Sequence, residues 1–101
     1  MADRRRIYIS GPMSGLPDFN YPAFGAAAQW LENQGWEPVS PADIGQREGW
    51  EWCDYMKAAV AMQTTCEAIH MLRGWHRSRG ATVEHKLASV FGQFVTYEAA
   101  P

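Results

Sequence analysis

Cysteine is nearly absent from this sequence. Cys53 and Cys66 are the only two in 101 residues, too few for a disulfide framework and without the CxxC or Cys/His spacing of a zinc site. Both are expected as free thiols in a reducing, cytoplasmic compartment. The three histidines, His70, His76 and His85, lack ligand spacing as well, so no metal is expected. Positive charge is also scarce. Nine Lys and Arg stand against eleven Asp and Glu, a net charge of −2, which supplies no basic footprint for duplex nucleic acid. Long apolar runs are missing: Arg4-Arg5-Arg6 is followed by only Ile7-Tyr8-Ile9 before Ser10-Gly11-Pro12, far short of a signal-peptide core or a membrane span. A soluble intracellular protein with no membrane partner is expected. There is no GxGxxG, Walker loop, GxSxG or Ser/His/Asp order, which removes support for dinucleotide binding, ATP hydrolysis and hydrolase-type acyl transfer. No cofactor is expected.

What is present is the composition of one globular domain, 47% apolar and 20% charged, spanning 1–101 with its core over about 6–97. A chain this short buries only about two-thirds of its unfolded surface, so self-association, as a dimer or a higher homo-oligomer, is expected to support a thin core.

Ile7 to Ser10 reads as a buried strand entering a turn at Gly11-Pro12. Gly11 to Asn20 has loop composition, with two prolines that forbid regular pairing. Asn20 is placed to cap a first helix, on which Ala26, Ala27, Trp30 and Leu31 recur at helical spacing until Gly35 stops it. Trp36 to Val39 is a second strand, and Pro41 to Trp50 is polar and irregular. Trp52, Tyr55, Met56, Ala59, Val60 and Gln63 follow helical spacing, Ala68 to Leu72 is a third strand, and a third helix opens at Ser78 or Gly80 and closes at Gly92. Phe94 to Tyr97 is a last strand, with a loose tail from Glu98 to Pro101. This β-α-β-α-β-α-β order predicts an α/β fold, a sheet of four parallel strands, or five, with helices on both faces. Small molecules bind such sheets beyond the carboxyl ends of the strands, where strand order reverses. The long loops after strands one and two converge there.

Glu84 is the most informative residue. On a helical wheel Val83, Val90, Leu87, Phe91, Ala88 and Ala81 form one apolar arc, and Glu84 falls inside it. A carboxylate on the sheet-facing arc is costly unless paired, and desolvation raises its pKa toward the range of an acid, base or nucleophile. The plainer alternative is a glutamate complementing the helix dipole. Ser78-Arg79-Gly80-Ala81 suits an anion cradle at a helix N-terminus, or else an ordinary cap and turn; Ser14-Gly15 carries the same two readings. Arg73, Arg77 and Arg79 flank the third loop and would favour a phosphate or carboxylate if they converge. His70 reads as a satisfied core or interface residue, and His85 as exposed. Among five tryptophans, Trp30 and Trp36 read as core, while Trp50, Trp52 and Trp75 suit a ring-stacking pocket or a subunit contact.

Taken together, Ile7-Tyr8-Ile9-Ser10-Gly11-Pro12-Met13, Asn20-Tyr21-Pro22-Ala23-Phe24, Gly74-Trp75 and Ser78-Arg79-Gly80-Ala81 leading to Glu84-His85 resemble a small phage and bacterial domain family of unassigned function. That family is itself similar to the nucleoside 2-deoxyribosyltransferases and the deoxynucleoside 5′-monophosphate N-glycosidases. The likeness runs from Ile7 to about Tyr97. It implies a flavodoxin-like sheet and cleavage of an N-glycosidic bond, or 2-deoxyribosyl transfer, on a nucleoside or nucleotide through a covalent glycosyl-enzyme. Glu84 matches the nucleophile, placed in the first turn of the third helix, and Tyr8 matches a tyrosine that orients it, making these two the catalytic residues. Gly11, Met13, Ser14 and Gly15 fall in the matching first loop, Ser78 and Gly80 match the small residues that in the monophosphate-dependent enzymes hold the 5′-phosphate, and Trp75 and Arg79 beside them are expected to bind substrate. The resemblance also implies sites completed by a neighbouring chain. Two departures stand out. Ala59 lies where the transferases carry an aspartate that handles the nucleobase, and Arg77-Ser78 replaces an acidic residue before the small-residue turn. Help for the departing base would then come from Asp54, Glu51 or another subunit. The alternatives are a nucleotide-binding module without turnover, or a structural oligomer.

Overall fold

The computed structural model describes residues 5–99. Arg4 of the basic start, and Ala100 and Pro101 of the tail, lie outside the described residues. Strands β1 (Arg6–Ser10), β2 (Glu37–Val39), β3 (Ala68–Met71) and β4 (Phe94–Tyr97) alternate with helices α1 (Tyr21–Asn33), α2 (Trp52–Gln63) and α3 (Arg79–Val90). Short 3-10 turns at Pro17–Asn20, Pro41–Ile44 and Trp75–Arg77 sit in the connections, so the loops expected to be irregular each contain a tight turn. All pairings are parallel and the sheet order is β2-β1-β3-β4. The expected flavodoxin-like arrangement is present with four strands.

The order follows from handedness. The β1-α1-β2 crossover places α1 on one face; the chain then returns across β1 to β3, and right-handed crossovers put α2 and α3 on the other. Alternation along β1 divides the core accordingly. Ile7 and Ile9 pack with Ala68, Leu72 and the α1 residues Phe24, Ala27 and Leu31, whereas Tyr8 packs with Ile69, Met71, Ala59, Ala81 and Ala88. Both central strands are buried on both sides and therefore read as continuous apolar runs. Strand order reverses between β1 and β3, which places the crevice at the ends marked by Ser10 and Met71, paired in register.

The glycine stops are found where expected. Gly35 (φ 95°) and Gly92 (φ 68°) are left-handed, and the amides after them, Trp36 and Gln93, donate back to Leu31 and Ala88. Ser78 opens α3, its hydroxyl accepting from the Ala81 N–H at 3.2 Å. Several expectations are overturned. Asn20 is left-handed (φ 62°) and makes no side-chain cap; its amide instead donates to the Pro12 carbonyl at 2.9 Å, closing the first loop on itself. Trp30 is 54% exposed and lies over buried His70, ring centroids 5.8 Å apart, because α1 turns only Phe24, Ala27 and Leu31 fully inward. Burial lowers the His70 pKa, and Thr96 satisfies its Nδ1 at 2.7 Å. His85 is half-buried, stacked on Trp75 at 4.2 Å and bonded to the Tyr97 hydroxyl. The tail is fastened at Glu98, whose carboxylate accepts from the Arg73 N–H at 2.7 Å. No helix among the described residues is long and apolar enough to cross a membrane.

Candidate functional site

At the reversal point the strand pattern brings three side chains together. Tyr8 and Ser10, two residues apart on β1, share the face toward α3. The Tyr8 hydroxyl donates to Glu84 Oε2 and the Ser10 hydroxyl to Glu84 Oε1, each at 2.6 Å. Tyr8 and Ser10 are fully buried and Glu84 is 5% exposed. The wheel expectation is corrected in detail. The buried stripe of α3 is Ala81, Glu84 and Ala88, while Val83 and Val90, at the far side of the arc, and Phe91, just past the helix end, are exposed. Glu84 thus lies at the centre of the inward face. It is also the sixth residue of α3, past the first turn, which contains no acidic residue. Dipole complementarity fades within the first turn and does not account for it.

Burial pushes the Glu84 carboxyl above its ordinary value, and the hydrogen bonds from Ser10 and Tyr8 pull the other way without cancelling it. Burial also raises the Tyr8 phenol, with the Glu84 charge adding to the effect. The phenol therefore stays protonated and remains a donor. The sign for stability follows: a carboxyl raised in the folded state contributes stability that is complete below its unfolded pKa and lost as pH rises through the folded one. The melting temperature of Glu84→Gln minus that of wild type is expected to grow as pH rises from about 4 to 8. A difference that shrinks over that range would mean that the hydrogen bonds outweigh burial.

Above the three side chains opens a cavity of about 250 Å³. The first loop supplies Gly11, Met13, Ser14 and Phe19; the second supplies Pro41, Ile44, Gly45 and Gln46; α2 contributes Trp52, Tyr55, Met56 and Ala59. The start of α3 closes the wall with Ser78, Gly80 and Ala81. Of the residues singled out in the sequence, Tyr8, Gly11, Met13, Ser14, Ser78, Gly80 and Glu84 therefore meet in one place. Gly15, Trp75 and Arg79 do not line it. Trp75 is held against His85, and the Arg79 guanidinium sits over the Trp52 ring at 3.8 Å. Arg73 is engaged with Glu98 and Ala99, so the arginines do not converge. Asp54 and Glu51 are occupied with each other's backbone in a capping box at the start of α2. Among the described residues Glu84 is the only carboxylate lining the cavity, and no Lys, Arg or His lines it. Among the described residues no group of three or more His, Cys, Asp or Glu could hold a metal ion.

Two glycines in the cavity wall have packing reasons. A Cβ on Gly11 would lie 2.7 Å from the Leu72 Cβ, and one on Gly80 would lie 3.1 Å from the Met56 sulfur. Sequence reasoning missed Ser10 and Gln63. Ser10 was legible in the two-residue alternation from Tyr8. Gln63, fully buried at the end of α2, donates to the Glu84 main-chain carbonyl at 2.9 Å and to Gln93 at 3.0 Å, fixing the height of α3 above the sheet; no sequence signal marks that role.

A solved structure described as a 2-desoxiribosyltransferase from Leishmania mexicana is similar to this fold, with a TM-score of 0.70 at 20% identity. The likeness covers 92% of this chain and 63% of that one, so the chain spans less than two-thirds of that enzyme's length. No curated protein matches the sequence. The family described as Domain of unknown function (DUF4406) matches residues 5–97, and the chain belongs to that family.

Proposed function

We propose that the protein cleaves the N-glycosidic bond of a nucleoside or nucleoside 5′-monophosphate, passing the 2-deoxyribosyl group to water or to a second base through a covalent glycosyl-Glu84 intermediate. The observation that carries this reading is the buried Glu84 carboxylate, gripped by two hydroxyls at 2.6 Å at the floor of a nucleoside-sized cavity. A Glu84 oxygen attacks C1′ as the base leaves with the bonding pair, and water or an acceptor base then displaces the glutamate. Tyr8 and Ser10 fix the carboxylate for attack and favour its ionised form, opposing in part the upward pull of burial. The fold shared with the Leishmania mexicana enzyme is consistent with this chemistry. Self-association is part of the same proposal: a shallow apolar groove lined by Trp52, Met56, Val60 and Val83 runs along α2 and α3. A nucleotide-binding module without turnover is the second reading, favoured by Ala59 in the cavity wall.

The test is incubation with each deoxynucleoside and its 5′-monophosphate, following free base by chromatography. Base release supports the enzyme; melting shifts without release support the binding module. Within the enzymatic reading, Tyr8→Phe leaves one buried oxygen short of a donor, a loss of about 1.5–3 kcal/mol or roughly 10- to 100-fold in rate. It is also expected to move the acid limb of the pH profile to higher pH. An unchanged limb would make Tyr8 a packing residue only.

A further inference from the structure

The cavity is poor in the groups that a departing neutral base requires. When such a base leaves, its nitrogen gains negative charge, which is met by a proton from a general acid or by a nearby cation. Glu84 is the sole carboxylate in the wall and is committed to C1′. Among the described residues, the other polar side chains lining the cavity include the hydroxyls of Ser14, Tyr21 and Ser78 and the Gln46 amide, neutral donors that can hydrogen-bond a departing nitrogen but carry no positive charge to meet it. Tyr8 is bound to Glu84, and Tyr55 donates to the Arg47 carbonyl at 3.1 Å while accepting from the Arg47 N–H at 2.8 Å. The nearest arginine by sequence, Arg79, is drawn onto Trp52 and does not line the cavity.

We infer that the site takes N-glycosides whose base is already cationic, a pyridinium or N-quaternised ring, so that the base departs as a neutral molecule without a proton donor. The inference rests on the glycosidic reading above and names its substrate class. The balance closes without an acid: the C1′–N⁺ bond breaks with its pair going to nitrogen, and Glu84 forms the C1′–O bond. Water then adds hydroxide to C1′ and releases one proton to solvent. Positive charge on the ring is neutralised as Glu84 bonds to the sugar, so negative charge never builds on the base in a wall whose remaining donors are neutral. The lining suits a flat cation: Phe19 and Tyr21 supply aromatic rings and Met13 and Met56 polarisable sulfur. The buried carboxylate supplies the countercharge.

The test uses the wild-type protein with nicotinamide riboside and nicotinamide 2′-deoxyriboside as cationic probes, and 2′-deoxyadenosine, 2′-deoxyguanosine, 2′-deoxycytidine and thymidine as uncharged controls. Each rate is divided by the spontaneous rate of the same compound. Because a general acid is worth about 10²–10⁴-fold, the acceleration for a cationic probe is expected to exceed that for every uncharged nucleoside by at least about 100-fold. Above the limb set by Glu84, the cationic rate is expected to stay flat toward alkaline pH. Uncharged nucleosides accelerated as much or more, or a falling alkaline limb that reveals a required proton, would overturn this inference and leave the glycosidic reading standing. No release from any compound would overturn both.

Discussion

Replacing Glu84 with Gln is expected to abolish turnover, with a loss of at least about 10³-fold in kcat/KM, while the far-ultraviolet circular dichroism and the oligomeric state stay those of wild type. The amide has the carboxylate's shape, and both facing hydroxyls can donate or accept, so the pocket closes around it without an unmet partner. What it loses is the negative charge that, in the proposed mechanism, attacks C1′. The folded state also no longer holds an ionised group at 5% exposure, so the variant is expected to melt no lower than wild type at pH 8. Base release is read by chromatography and folding by thermal melts on the same preparation. Retained turnover with intact structure would remove Glu84 from the chemistry. Lost turnover with a collapsed melt would mean that the carboxylate is a structural group.

Gly11→Ala is expected to be the most damaging single-methyl change in the chain. The added Cβ would sit 2.7 Å from the Cβ of Leu72 and 3.0 Å from its Cδ1. Leu72 is 1% exposed in the core beside α1, and a Cβ is carried by its backbone and cannot swing aside. Either β1 or the end of β3 must shift. Overpacking of this kind costs about 1–3 kcal/mol, which in a domain of this size lowers the melting temperature by roughly 5–20 °C. The shift occurs one residue beyond Ser10, so the 2.6 Å bond to Glu84 is stretched in the same event. Activity is therefore expected to fall even in the protein that remains folded. A melting temperature within about 2 °C of wild type would show that the strand ends can part at little cost.

The fold was legible because each strand is short, apolar and bounded by glycine or proline, and because its alternation with helices leaves few topologies open. Helix stops at Gly35 and Gly92 were readable for the same local reason. The carboxylate was readable too, since a glutamate inside an apolar arc is a conflict within the sequence itself. What escaped depended on neighbours distant in the chain. Trp30 looked like core because helical spacing reports an arc without saying where the sheet ends. Val83, Val90 and Phe91 belong to the same arc as Glu84, yet only the part of it above β1 is covered. Asn20 has the composition of a cap, but its amide finds the Pro12 carbonyl first. The resemblance implies that Trp75 and Arg79 bind substrate; in the structure they pack on His85 and Trp52, partners that local pattern cannot supply.

β1 occupies the interior of the sheet, and both of its neighbours, β2 and β3, are synthesised after it. β2 follows after one helix, but β3 waits until Ala68 to Met71. The bonds that hold the carboxylate span 74 and 76 residues of sequence. Every stage of synthesis before α3 therefore lacks the acid altogether, and any fragment missing β1 or α3 lacks one half of the grip. Closing such distant parallel pairs has an entropic cost that is met only late, which places this domain among the slower folders of its size. The nascent chain meanwhile carries Ile7 to Ile9 as an apolar strand with both edges open, the arrangement that chaperones bind and neighbouring copies pair with. The grip on Glu84 thus forms only after both central strands and α3 have been made, late in the assembly of the sheet.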